Sequence, residues 1–162
     1  MSSLSRFLLL LLTAVAAAAD RPTVYEAIGS YGLPQGLLPE GVTNYKLDVA
    51  TGKFSVYLDK TCSFTIQGYD LKYKTTVTGT ISRNRIRNLT GIQVKILFLW
   101  VNIVEVTKDG GNLELSVGIA SAGFPAGDFE ESPRCGCGFK CANSGRSGGG
   151  FSLEKLLPLV QV

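Results

Sequence analysis

Four cysteines, Cys62, Cys135, Cys137 and Cys141, are the residues of this 162-residue chain best suited to chemistry, and two chemistries fit them. The C-x-C-x3-C cluster could join Cys62 in offering four thiolates to zinc, or an oxidising compartment could pair the four into two disulfides. Four cysteines allow three pairings. Cys135 and Cys137, one residue apart, close only a strained ring, so Cys62–Cys135 with Cys137–Cys141 is the first choice. Structural zinc sites usually space their cysteines as C-x2-4-C, which makes zinc the weaker alternative, and no metal is assigned. The chain has no histidine. That removes Ser-His-Asp and Cys-His nucleophile systems, histidine-ligated zinc hydrolases and the commonest general base near neutral pH. Carboxylate pairs, an activated lysine or a cofactor would remain as routes to catalysis. The acidic residues Asp128, Glu130 and Glu131 cluster before Cys135, where they read as ordinary loop charges with calcium as a remote option. No catalytic residue and no cofactor are assigned.

The basic residues are the other candidates. Arg83, Arg85 and Arg87 alternate along an expected strand and share a face, and Lys72 and Lys74 form a similar pair on the same segment. They could meet an anionic partner such as phospholipid headgroups or cell-wall pectate, or serve as a solvated strand edge kept soluble by charge. A net charge of +3 is too small to point to nucleic acid.

The termini set the compartment. Arg6 precedes the apolar run Phe7 to Ala19, which ends in Ala17-Ala18-Ala19, the pattern of a secretory signal peptide cleaved after Ala19. The run would cover roughly 20 Å as a helix, short of the ~30 Å hydrocarbon core, so no transmembrane segment is expected. Residues 20–141 are expected to form one domain. Residues 142–162 read as a Gly/Ser-rich flexible tail, with too short and too charged an end for a lipid-anchor signal. A secreted, extracellular monomer follows, in the apoplast or cell wall.

The elements that must position these residues are mainly β. Thr23 to Glu26 has the spacing of a capping box for a short helix whose Val24, Ile28 and Tyr31 share a stripe. Gly32 stops that helix, and "GLPQGLLPEGV" reads as a stiff corner whose leucines plug the end of the core. Alternation over 45–49 and 54–58 predicts a hairpin, 62–66 a third strand, and 70–87 a longer one broken or bulged near Gly79. Asn88-Leu89-Thr90-Gly91 reads as a turn that carries the N-x-S/T sequon at Asn88, a glycosylation site. Ile92 to Val106 reads as one long strand with a core-facing even set, and 113–120 as the last strand. On its second face Leu97, Leu99, Val101 and Ile103 either pack against the helix or line a groove for an apolar ligand.

Together, "YGLPQGLLPEGV", "YKLD", "GKFSVYL" with Cys62, "TGTIS", "IRNLTGIQVKILFLWVNIVEV", "LSVGIASAGFP" and "FEESPRC" resemble a family of secreted plant proteins known as a domain of unknown function. The resemblance covers nearly all of residues 23–135, and the GLPxGLLPxGV element is specific. It implies an α+β fold dominated by a strongly curved antiparallel sheet or barrel-like β-domain, with one amino-terminal helix packed on or plugging it. Such proteins are similar in expected fold to the tubular lobes of the bactericidal/permeability-increasing protein, which bind lipid, and ester hydrolysis has also been suggested for them. The resemblance also supports pairing of Cys62 with Cys135. The chain departs from the pattern after Cys135. The expected function is therefore a secreted, non-enzymatic binding protein for a lipid or other apolar small molecule at a membrane or cell-wall surface. The alternatives are a cell-wall polysaccharide (pectin) interacting protein and a weak ester hydrolase.

Overall fold

Thr23 begins the first element: its Oγ1 accepts the Glu26 N–H at 3.1 Å, and helix α1 follows over Val24–Ser30 with Val24 and Ile28 buried. The computed structural model describes residues 20–139 and 141; the expected leader over 1–19 and tail over 142–162 lie outside the described residues. After Gly32 the chain enters a corner built on a 3-10 turn, Gln35–Leu37. Leu33, Leu37, Leu38 and Pro39 are all buried there. The buried Tyr73 phenol donates to the Leu37 carbonyl at 2.8 Å. Gly36 has to be glycine, because a Cβ would stand 2.3 Å from the Phe129 carbonyl oxygen of a second 3-10 turn, Ala126–Phe129.

Nine antiparallel strands make one sheet: β1 Val42–Leu47, β2 Lys53–Leu58, β3 Cys62–Ile66, β4 Tyr69–Ser82, β5 Arg85–Ile96, β6 Leu99–Asn102, β7 Glu105–Asp109, β8 Asn112–Ser116 and β9 Ser121–Pro125. Their order is β1-β2-β4-β5-β7-β8-β9, with β3 added beside β4 and β6 beside β5. The two longest strands organise everything else. One edge of β4 is shared by β2, along Thr76–Thr80, and β3, along Tyr69–Tyr73. β5 likewise carries β6 at one end and β7 at the other. β1 and β9 do not pair, so the sheet is open and the barrel-like closure expected from the resemblance is not realised.

The strand boundaries correct three expectations. The segment expected over 70–87 ends at a two-residue turn, where Asn84 takes a φ of 58°, a conformation asparagine tolerates. The turn expected over 88–91 is an irregularity inside β5, with Asn88 at φ 52° and Gly91 at φ 93°. The strand expected over 92–106 folds back on itself: Ile96 pairs with Leu99 across a Leu97-Phe98 turn, and the chain returns along β5.

The core is a single apolar layer between one face of the sheet and the α1-corner segment. Val24, Ile28, Leu37 and Leu38 meet Val56, Leu71, Val77, Ile92, Val106 and Phe124 in one cluster. Among the described residues no charged side chain is buried. Both disulfides of the first-choice pairing are present. Cys62–Cys135 ties β3 to the segment beyond the second 3-10 turn, and Cys137–Cys141 closes a small loop there, so these sulfurs are not thiolates for zinc.

Candidate functional site

The apolar layer contains a void of about 50 Å³ directly beneath α1. Val24 and Ile28 form its roof, Leu37 its wall at the corner, and Val77, Ile92 and Ile103 part of its floor. A smaller void of about 20 Å³ lies beside it among Tyr69, Leu71, Val94 and Phe124. With no polar partner for water, voids of this kind stay dry. The larger one is about a third of the roughly 150 Å³ that admits a benzene-sized ligand, so an apolar guest enters only by lifting the roof. That roof is slender. α1 is seven residues long and fully buries two side chains, Tyr25 packs against the core only in part, and single hydrogen bonds tie the helix and the turn after it. The Tyr25 hydroxyl donates to the Pro39 carbonyl at 2.7 Å, the Asn84 N–H to Tyr31 O at 2.7 Å, and Lys108 Nζ to Gly32 O at 3.0 Å.

A wider, mixed cleft of about 490 Å³ opens between the corner and the second disulfide, lined by Tyr25, Gln35, Glu40, Glu131, Ser132 and Arg134 among others. Its polar groups hold the corner in place. Gln35 Nε2 donates to Glu130 O at 2.7 Å, the Ser132 hydroxyl to Gln35 O at 3.3 Å, and Glu40 pairs with Arg134 at 3.2 Å. Ser132 has no histidine to activate it. Of the acidic cluster before Cys135, Asp128 accepts from Gln67. Burial pushes the phenols of Tyr73, Tyr25 and Tyr69 above their ordinary range, and hydrogen bonds from the Thr51 side chain and the Ala50 amide hold exposed Asp48 below its own.

The basic candidates separate into two groups. Arg83 stands in the β4–β5 turn, and Arg85 and Arg87 are exposed at the start of β5, where Arg85 pairs with Glu105 at 2.8 Å. Lys72 and Lys74 lie toward the other end of β4. Lys72 Nζ sits 4.0 Å from the ring centroid of Trp100, an aromatic contact that sequence spacing did not point to. Asn88 is exposed, on the bulge in β5 rather than on a loop.

The four apolar candidates also part company. Leu99, Val101 and Ile103 follow one another on the inward face of the returning chain, and their burial rises from 61 % exposed at Leu99 to 3 % at Ile103. Leu97 belongs to neither face; it is in the turn, with φ 58° and half exposed. They therefore do not line one groove. Ile103 is floor of the internal void, while Leu97 and Leu99 stand in solvent with Phe98, which is 80 % exposed, and Trp100. The apolar character of both the odd and the even positions over 97–101 was the available sign of this tip.

The family described as protein of unknown function DUF538 matches residues 24–130, from the start of α1 to just past the second 3-10 turn. The chain is also similar to an uncharacterized protein of Arabidopsis thaliana, at 31% identity over 98 residues, covering 58% of this chain and 55% of that one. It thus spans about half the length of the curated relative it matches. With more than half of its residues inside the family match, the chain belongs to the DUF538 family.

Proposed function

We propose that this DUF538 member is a secreted, non-enzymatic binding protein that takes up a lipid or another apolar molecule beneath α1. The observation that carries the reading is the wholly apolar void under a seven-residue helix that buries only two side chains. An isolated helix of that length has little stability of its own, so α1 can be displaced at modest cost and an alkyl chain would replace water-free void with contacts. The fold likeness to the lipid-binding lobes of the bactericidal/permeability-increasing protein belongs to the same proposal. Two disulfides suit an oxidising compartment, which supports secretion, and the exposure of Asn88 is compatible with a glycan there. Among the described residues no helix is long and apolar enough to cross a membrane.

The alternatives draw less support. Arg85, the middle of the arginine stripe, is already paired with Glu105, and the cleft near Ser132 uses its polar groups to fix the corner. Native mass spectrometry of delipidated protein titrated with a long-chain fatty acid tests the uptake. A 1:1 complex is expected for the wild type and its loss for Ile28→Phe, which fills the void, with the melting temperature tracked to confirm folding. A wild type that stays ligand-free, or equal uptake by the filled variant, would overturn the reading.

A further inference from the structure

We propose that the tip of the β5–β6 hairpin, Leu97 to Trp100, docks the protein onto an anionic phospholipid surface, with the apolar side chains entering the interface and Lys72, Lys74 and Lys95 meeting the headgroups. Single exposed leucines are ordinary on protein surfaces, but here four large apolar residues in succession are 52, 80, 61 and 36 % exposed. They lie at the end of a hairpin on an edge of the sheet, since β6 pairs with β5 alone while β5 also pairs with β4 as far as Val94. Beside its base, where the Val104 amide donates to Ser116 O at 2.9 Å, the β8–β9 turn offers Ile119, also 80 % exposed.

The backbone is spent on keeping these side chains outward. Leu97 occupies the left-handed region at the first position of a two-residue turn, where glycine or asparagine would cost less. Among the described residues, the other non-glycine residues at positive φ are Gln67, Asn84 and Asn88, all polar amides. A leucine there sacrifices local stability to place an apolar group at the outermost point of the hairpin.

The charge around the tip selects the occupant. Lys72 stacks on Trp100 and Lys95 is Trp100's cross-strand partner, which places two lysines beside the one side chain that favours the membrane interface. Lys74 follows on β4, exposed. Asp70, the acid on this stretch of β4, accepts a hydrogen bond from the Thr65 hydroxyl at 2.7 Å. A second copy seated tip to tip would bring like charges together, whereas anionic headgroups complement them. The site is separate from the void beneath α1.

Trp100 is the only tryptophan of the chain, so its emission reports on the tip alone. The experiment mixes the protein with phosphatidylcholine vesicles, with and without phosphatidylserine, and reads Trp100 emission together with co-sedimentation. Expected are a blue shift and binding that grow with phosphatidylserine and weaken with added salt. Phe98→Ser should lower partitioning roughly tenfold. The double variant Lys72→Gln, Lys95→Gln should lose the preference for the anionic vesicles, and far-UV circular dichroism should confirm that both variants fold. An unshifted, unbound wild type would overturn the proposal, as would equal partitioning of a folded Phe98→Ser. So would a lipid-indifferent dimer that Phe98→Ser dissociates. Fatty-acid uptake by Phe98→Ser should remain at the wild-type level, which separates failure here from failure of the void.

Discussion

Leu37 and Leu99 carry the same side chain and stand in equally leucine-rich stretches, yet one is 6 % exposed and the other 61 %. The difference lies in what fastens the backbone around each. At the corner, Tyr73 donates to Leu37 O, Gln35 reaches Glu130 O, and the Glu40 amide donates to Pro133 O at 2.9 Å. Gly36 lets the second 3-10 turn approach within contact. These ties come from residues distant in the chain, and they press the leucines into the core. At the hairpin, the only backbone partner of β6 is β5, so β6 is an edge of the sheet and no other element covers the leucines of its turn. Apolar content alone does not decide burial; tertiary attachment does.

The sharpest way to break this comparison is to truncate one leucine in each region. Leu37→Ala should cost about 2 to 5 kcal/mol in urea unfolding, whereas Leu99→Ala should stay within about 0.5 kcal/mol of wild type. Equal losses would mean that the tip is packed in solution.

The next effect concerns Tyr73, whose hydroxyl fastens the corner. Tyr73→Phe leaves the Leu37 carbonyl without that donor, and should cost about 1 to 3 kcal/mol. Because burial raises the folded phenol above the unfolded value of about 10, its contribution is intact below pH 10 and is lost as pH climbs toward the folded value. The wild type should therefore melt at falling temperatures above pH 10. The decline should be shallower in Tyr73→Phe, with Tyr25 and Tyr69, both also raised, supplying what remains.

The smallest effect is a gain. Leu97→Gly relieves the left-handed leucine and should leave stability unchanged or raise it by up to about 1 kcal/mol in the same unfolding assay. A clear loss would show that the Leu97 side chain is held by contacts rather than displayed.

Much of the corner was legible in the sequence because proline and glycine announce backbone geometry. Thr23 marked the start of α1, Gly32 its end, and the leucines between Pro34 and Pro39 are buried as expected. β3 was read at its observed bounds because Phe64 and Ile66 alternate with polar residues from Cys62 onward. The hairpin was illegible for the opposite reason. Its turn is Leu97-Phe98, with no Gly, Asn, Pro or Asp, and apolar alternation runs into it and out again, so residues 92–106 looked like one strand. Asn88 and Gly91 misled in the other direction. They are turn residues by type, but the β4 ladder holds them inside a bulged strand. The four apolar candidates accordingly fall in two places: Ile103 lines the internal void, and Leu97 and Leu99 stand at the exposed tip.

The Cys62–Cys135 bridge has a mechanical consequence. It spans 73 positions, so β4 through β9, the hairpin included, lie inside one covalent ring. Pulling on the two flanks of the domain would peel away α1, the corner, β1 and β2 and then stop at the sulfurs, with roughly 250 Å of contour length locked until the bridge is reduced. A load applied at the hairpin tip, by contrast, acts on the ring itself, so tension on that tip is borne by covalent bonds as well as by the ladder.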